Sequence, residues 1–246
     1  KYLKEIVKLD LNYQLRNLFK VRFLTPNLFK KNKELFNTSK KAILDFQCNN
    51  NFIQRRDFIV TEAIDNFRGV NVVDLGCGEG NYLRIIYKKL LADNNNKDAF
   101  SYTAIDSSEE ALSTVRHTAR KNEFDVDTFS SLEAFVAERH NKNDRKYTII
   151  CTEVIEHNTE EDTIKLLQSL NDLRFSRVII TTPNKEFNTF YNLLEEETRH
   201  ADHKYEVTDQ EFRNLISQNF AGRTISYKNL GDKVNGISST LSAVIS

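Results

Sequence analysis

Three cysteines in 246 residues, Cys48, Cys77 and Cys151, lie too far apart for a disulfide framework or a CxxC metal knuckle. Reduced thiols suit an intracellular, cytoplasmic compartment. Only two prolines occur, Pro26 and Pro183, and no Pro/Gly-rich linker announces a domain boundary. No apolar run approaches the roughly 18–20 residues of a membrane span, and Lys1–Asp10 lacks signal-peptide architecture. A soluble protein with no membrane partner is therefore expected. Net formal charge is also missing: 35 Lys and Arg balance 35 Asp and Glu. That excludes a uniformly basic nucleic-acid coat and leaves only local charge to interpret. Methionine is absent and the chain begins at Lys1, so local motifs carry the argument rather than distances to the termini.

What is present is a chain long enough to bury a sizeable core, 39% hydrophobic and 28% charged, as globular proteins are. Its charge is uneven. Residues 1–50 hold eleven Lys and Arg against four Asp and Glu, a balance of +7. A basic arm of that kind can follow phosphates, and equally can be the solvated face of Lys-rich helices. The loop-like stretch "NTSKKAILDFQCNNN" (37–51) divides a basic, helical N-terminal extension over 1–50 from a domain over 51–246. Within 51–67, Phe52, Phe58, Ile59 and Ala63 recur at helical spacing. From residue 70 onward, apolar strand-like runs at 70–75, 100–106, 146–152 and 177–183 alternate with helix-like stretches at 81–92, 108–121, 159–173 and 208–220. A weaker strand near 124–129 and two late ones at 222–228 and 238–245 complete the pattern. This alternation predicts an α/β fold: an open, mostly parallel, Rossmann-like sheet with helices on both faces. Ligands of such sheets bind beyond the carboxyl ends of the strands.

Two constellations fall at those ends. "VVDLGCGEGNYLR" (72–84) runs from a strand through Gly76, Gly78 and Gly80 into a helix, with Asp74 just ahead of the loop. Glycines allow a tight turn and close approach of a ligand to backbone. A second acid, Asp106, ends the next strand, where it can accept hydrogen bonds from ribose hydroxyls. The GxGxG spacing differs from the dinucleotide GxGxxG. The second constellation, "CTEVIEHNTEEDT" (151–163), sets Glu153, Glu156 and His157 after the fourth long strand. At i, i+3 and i+4 they share a face if the chain begins a helical turn. They suit a divalent cation. The acids alone also suit the start of a helix, favourably placed against its dipole.

The acid, the glycine loop and the second strand-end acid together resemble motif I and its sequel in class I S-adenosylmethionine-dependent methyltransferases. The resemblance implies S-adenosylmethionine as cofactor, contacted by Asp74, Gly76, Gly78 and Asp106, with Ser130 and Ser131 near the adenine. "TPNKEFN" (182–188) and "RHADHKYEVTDQEF" (199–212), taken with ExxEH at 153–157, resemble the small-RNA 3′-terminal 2′-O-methyltransferases. That family comprises the plant microRNA, animal piRNA and bacterial RNA-repair methyltransferases. "FIQRRDF" (52–58) approximates a Gln-Arg element that precedes motif I in them. The resemblance spans residues 50–220. It implies a divalent cation, Mg2+ or Mn2+, held by Glu153, Glu156, His157 and His203, with His200 the neighbour most easily confused with the last. The same four are the implied catalytic residues, and the implied partner is RNA with a free 3′-terminal 2′,3′-diol. Tyr205 and Val207 depart from the family's Phe and Trp without removing a ligand.

A cation stabilises an alkoxide, so such a site can activate a hydroxyl that is almost wholly protonated at neutral pH. Two other classes compete: a metal-dependent O-methyltransferase of catechol-like molecules, and a catalytically silent RNA-binding module on the same fold. His117 and His140 lie on polar helix-like stretches and read as solvated. Cys151 reads as a small buried strand residue.

Overall fold

The computed structural model describes residues 53–64, 71–92, 100–140, 146–191 and 198–246. The expected extension over 1–50, with Cys48, lies outside the described residues, as do Phe52 and the end of the 51–67 helix.

A helix over 53–64 (α1) precedes the first strand. β1 (Asn71–Leu75), α2 (Asn81–Ala92), β2 (Ser101–Ile105), α3 (Glu109–Lys121) and β3 (Asp127–Phe129) follow in strict alternation. A short helix α4 (Leu132–Phe135) then leads into β4 (Tyr147–Thr152), α5 (Glu160–Asp172) and β5 (Phe175–Pro183). After α6 (Asp209–Asn219), strands β6 (Ile225–Tyr227), β7 (Leu230–Val234) and β8 (Ile237–Ile245) complete the described elements.

The strands form one sheet in the order β3-β2-β1-β4-β5-β8-β6, with β7 also on β8. β1 through β5 are parallel, and β8 runs antiparallel to β5. Adjacent residues of the central strands serve opposite faces. Val73, Ile149, Cys151, Val178 and Ile180 join one buried cluster with α5 and α6. Val72, Ile150 and Ile179 join the other with α1, α2 and α3. A strand buried on both sides needs a continuous apolar run, which is what made these segments visible in the sequence. Each fully buried Ile or Val there contributes about 1.5–3 kcal/mol.

Helices α3, α5 and α6 begin with side-chain caps. Ser108, Thr159 and Thr208 accept from the backbone N–H groups of Ala111, Asp162 and Glu211, and Thr208 with Glu211 forms a capping box. The first two caps follow β2 and β4 closely, fixing the chain just beyond those strands. Strand order reverses at β1, whose neighbours β2 and β4 lie on opposite sides. The crevice at that switch point receives the loops after β1, β2 and β4. Among the described residues, no helix is long and apolar enough to cross a membrane.

Candidate active site

The loop after β1 is held to the end of β2. Gly76 N–H and Cys77 N–H both donate to the Ile105 carbonyl, at 2.8 and 3.1 Å. Gly76 adopts φ +70°, and a Cβ there would come within 2.4 Å of Val154 Cγ2. The turn therefore requires glycine for both conformation and space. Asp106 closes the loop from the other side: Oδ2 accepts from Gly78 N–H at 2.8 Å, and Oδ1 from Ser108 N–H at 2.9 Å. Beyond these groups opens a cavity of about 490 Å³. Gly76, Asp106, Ser130 and Ser131 line it, and so do Glu153 and His157. Its size is that of a small-molecule site.

Asp74 and Gly78 do not line this cavity. Asp74 is fully buried, on the β1 face that carries Val72 rather than at the strand end. It accepts a hydrogen bond from the Tyr102 hydroxyl, while its Oδ1 is buried without a partner. Burial pushes its carboxyl up to about 7, against the lowering effect of the Tyr102 bond and with a smaller raising effect from Asp106. An acid raised on folding adds stability below its unfolded pKa near 3.8, and that contribution is lost as pH rises toward 7. Asp74→Asn should match the wild type to within about 1 kcal/mol near about pH 4 and exceed it by about 4 kcal/mol near about pH 8. Urea unfolding of the cofactor-free protein at the two pH values measures this. Parallel pH dependences in both proteins would contradict it.

The second constellation is built on a sharp change of backbone direction. Glu153 N–H donates to the Thr181 carbonyl at 3.0 Å, extending the β4–β5 ladder by one bond. Glu153 then takes φ +54°, a left-handed conformation that costs a non-glycine residue about 1–2 kcal/mol. Residues Ile155–His157 form a single 3-10 turn. The i, i+3 and i+4 spacing shares one face only if a helical turn begins at Glu153, and the left-handed Glu153 interrupts that phase. One oxygen of Glu153 pairs with the Arg55 guanidinium at 2.6 Å and the other accepts from the Thr181 hydroxyl at 3.0 Å.

Glu156 is buried, at 1% exposure. Its Oε2 accepts from the Thr182 hydroxyl at 3.1 Å, and Oε1 has no hydrogen-bond partner. Burial, followed by the nearby Glu153 charge, raises its pKa well above the usual carboxylate range. A buried carboxylate oxygen with nothing to bond is costly unless a cation or proton meets it.

The distant segment 198–207 reaches this turn through its backbone. Lys204 and Tyr205 N–H groups both donate to the Glu156 carbonyl, at 2.7 and 3.1 Å. A parallel bridge joins Asn184 to Val207, with Lys185 N–H donating to the Val207 carbonyl at 2.9 Å. His203 is thereby carried to within a 5.0 Å ring-centroid distance of His157. One ligand atom each from Glu156, His157 and His203 lie within 4.8 Å of one another. Glu153 and His200 are outside that group. His200 stacks edge-on against His203 at 5.0 Å, and His157 Nδ1 lies 3.3 Å from Asp202 Oδ2. Two imidazoles and a carboxylate with a vacant buried oxygen fit a divalent cation.

Several residues gained a role only in the structure. Arg55, within the quoted "FIQRRDF", holds Glu153. Glu206 accepts from His203, Asn188 and Arg199 N–H, and Asn188 and Arg199 belong to the two quoted motifs. Burial works to raise the Glu206 carboxyl, but those hydrogen bonds and the Arg199 charge outweigh it and hold it below the usual range. Val207 is buried at 1% and packs into the core. Tyr205 packs on the same cluster and donates to Glu160. Cys151 is buried and reduced, and His117 is exposed on α3; the side chain of His140 lies outside the described residues.

A doubly wound sheet with a glycine turn after β1 and an acid after β2 is the architecture of S-adenosylmethionine-dependent methyltransferases of class I. The family model described as "Methyltransferase domain" matches residues 66–228, and the chain belongs to that family. Curated relatives narrow the comparison. The chain is 30% identical over 175 residues to the small RNA 2′-O-methyltransferase of Rattus norvegicus, covering 67% of this chain and 41% of that protein. It is 33% identical over 100 residues to the Tetrahymena thermophila protein of the same name, covering 38% and 24%. The chain thus spans less than half the length of these relatives. Among solved structures, the methyltransferase domain of bacterial CtHen1-C superposes with a TM-score of 0.60 at 26% identity. That match covers 78% of this chain and 96% of the other.

Proposed function

We propose that this chain transfers a methyl group from S-adenosylmethionine to the 2′-hydroxyl of the 3′-terminal nucleotide of a small RNA. The observation that carries the reading is the meeting of two constellations at one cavity. Gly76, Asp106, Ser130 and Ser131 form one wall, and His157, which with Glu156 and His203 makes a compact donor group, stands on the other. The names of the curated relatives support the same substrate class. In this reading the catalytic unit is residues 51–246, and the basic 1–50 segment follows RNA backbone.

Gly76 lets the donor lie against backbone, Asp106 accepts from its ribose, and Ser130 and Ser131 flank the adenine. Asp74 and Gly78 act from behind, Gly78 by anchoring Asp106. Glu156, His157 and His203 hold Mg2+ or Mn2+, and Glu153 completes the set when its carboxylate is released from Arg55 and Thr181. When bound, the cation stabilises the alkoxide form of the 2′-hydroxyl, as the sulfonium supplies an activated methyl. A neighbouring imidazole whose lone pair is not on the cation takes the hydroxyl proton. The residues on both walls supply alignment of the nucleophilic oxygen with the methyl carbon, the largest contribution open to a reaction whose donor is already activated. A requirement for both terminal hydroxyls selects RNA over DNA and ends over internal nucleotides.

The test uses labelled S-adenosylmethionine, Mg2+ or Mn2+, and matched RNAs ending in a 2′,3′-diol, a 2′-deoxy nucleotide or a 3′-phosphate. Label should enter only the diol RNA and vanish with chelator. Equal labelling of all three would reject recognition of the terminal diol. Labelling of catechol-like molecules alone would turn the reading to a small-molecule O-methyltransferase. RNA binding without turnover would turn it to a silent binding module.

A further inference from the structure

Behind His203 lies a closed set of polar side chains that the transfer reaction does not itself call for. His203 Nδ1 is 2.5 Å from Glu206 Oε1, with the two side chains 4% and 2% exposed. The same Oε1 accepts from Arg199 backbone N–H at 2.9 Å, and Oε2 accepts from the Asn188 amide. Asn188 is itself fixed, because its Oδ1 accepts from Arg199 Nε at 3.1 Å and from a terminal guanidinium nitrogen at 3.0 Å. The guanidinium also donates to the Asn184 and Ser239 carbonyls, at 2.8 and 3.2 Å. Rotating the Asn188 amide would therefore set its NH2 against the guanidinium, and its orientation is determined.

A neutral imidazole has one N–H, and a carboxylate only accepts. An imidazole whose Nδ1 faces the Glu206 carboxylate keeps its proton there, and the lone pair is then on Nε2. We propose that Glu206, locked by Asn188 and Arg199, is the positioning residue that fixes His203 as its Nδ1–H tautomer and makes Nε2 the cation-binding nitrogen. Its consequence for cation binding rests on the donor set described above; the tautomer is a property of the ion-free protein and stands apart from it. The arrangement is a carboxylate–histidine pair of the kind that orients metal ligands.

Glutamine at 206 separates this role from simple packing. It keeps the shape but replaces one acceptor with an NH2. Placed at the Oε2 position, the NH2 opposes the Asn188 amide, which cannot turn. Placed at the Oε1 position, it opposes Arg199 N–H and donates to His203 Nδ1, driving the proton to Nε2 and removing the ligating lone pair.

Two measurements decide it. Long-range proton–nitrogen NMR of ion-free protein with 15N-labelled histidine should show His203 protonated at Nδ1 and bare at Nε2. The reverse tautomer in the wild type would overturn the proposal, and this arm needs no variant to fold. Titration of Mn2+ followed by electron paramagnetic resonance should then show roughly 10–100-fold weaker binding for Glu206→Gln, with S-adenosylmethionine affinity unchanged. Equal Mn2+ affinity in folded wild type and variant would also overturn it. A wild type that binds no Mn2+ while showing the Nδ1–H tautomer removes the donor set and leaves the tautomer assignment intact.

Discussion

Alanine at His203 should lower kcat/KM for methyl transfer to a diol-ended RNA by roughly 10³-fold or more, to a level no longer sensitive to chelator. S-adenosylmethionine affinity should stay within about twofold of the wild type, because binding of the donor is built on other loops. His203 does not line the donor cavity, whose glycine, acid and serine groups come from the ends of β1, β2 and β3. Its ring instead closes the group with Glu156 and His157. Loss of one of three converging donors removes most of the binding energy for a small ion, and with it the stabilisation of the alkoxide. The substitution also leaves Glu206 buried without its imidazole, which costs about 1–3 kcal/mol of stability. Thermal unfolding and donor titration therefore accompany the rate measurement. A folded variant with wild-type turnover would take His203 out of the reaction altogether.

The different parts of that site were not equally visible from the sequence. β1, β4 and β5 announce themselves as continuous apolar runs because both their faces are buried. β7 does not, since Leu230 is its only buried residue and Gly231, Asp232 and Lys233 read as a turn. The short helix Leu132–Phe135 and the 3-10 segment Lys185–Tyr191 were missed for a related reason: each is too short to establish a period. The adjacency of Glu156 and His157 is local and could be read directly. That His203 joins them is set by tertiary hydrogen bonds from Lys204 and Tyr205 to the Glu156 carbonyl, which no spacing rule encodes. Only the resemblance carried by the paired motifs brought the segments together. Glu153 shows the converse: its chemistry was legible, but its left-handed backbone and its Arg55 partner are properties of the fold. Asp74 was legible as the acid of the glycine motif, while strand parity places its side chain beneath the loop beside Tyr102.

Alanine at Gly76 should disable the donor side of the proposed site as His203→Ala should disable its proposed cation side, and for a reason that can be divided experimentally. Two costs add at this position. The left-handed φ of +70° costs a residue with a Cβ about 1–2 kcal/mol. The clash with Val154 Cγ2 at 2.4 Å forces a core-packed side chain and the turn beneath it to move, which costs about 1–3 kcal/mol more. Gly78 is the natural comparison: its φ is +50° but a Cβ there meets nothing within 4 Å. Gly78→Ala should therefore show the conformational cost alone, about 1 kcal/mol. In Gly76→Ala the displaced turn carries Glu153 and His157 with it, so S-adenosylmethionine binding and turnover should both fall, by roughly 10²-fold or more. Adding Val154→Ala removes the Cγ2 atom responsible for the clash and should recover part of the donor affinity, while the backbone penalty persists. Calorimetric titration of donor into the four proteins, with unfolding curves for each, resolves the two contributions. If Gly76→Ala bound donor as tightly as Gly78→Ala, the close approach of Val154 would have no part in shaping the cavity. Partial recovery by the second substitution would instead place the steric wall between the donor and the acid–histidine turn at that one valine.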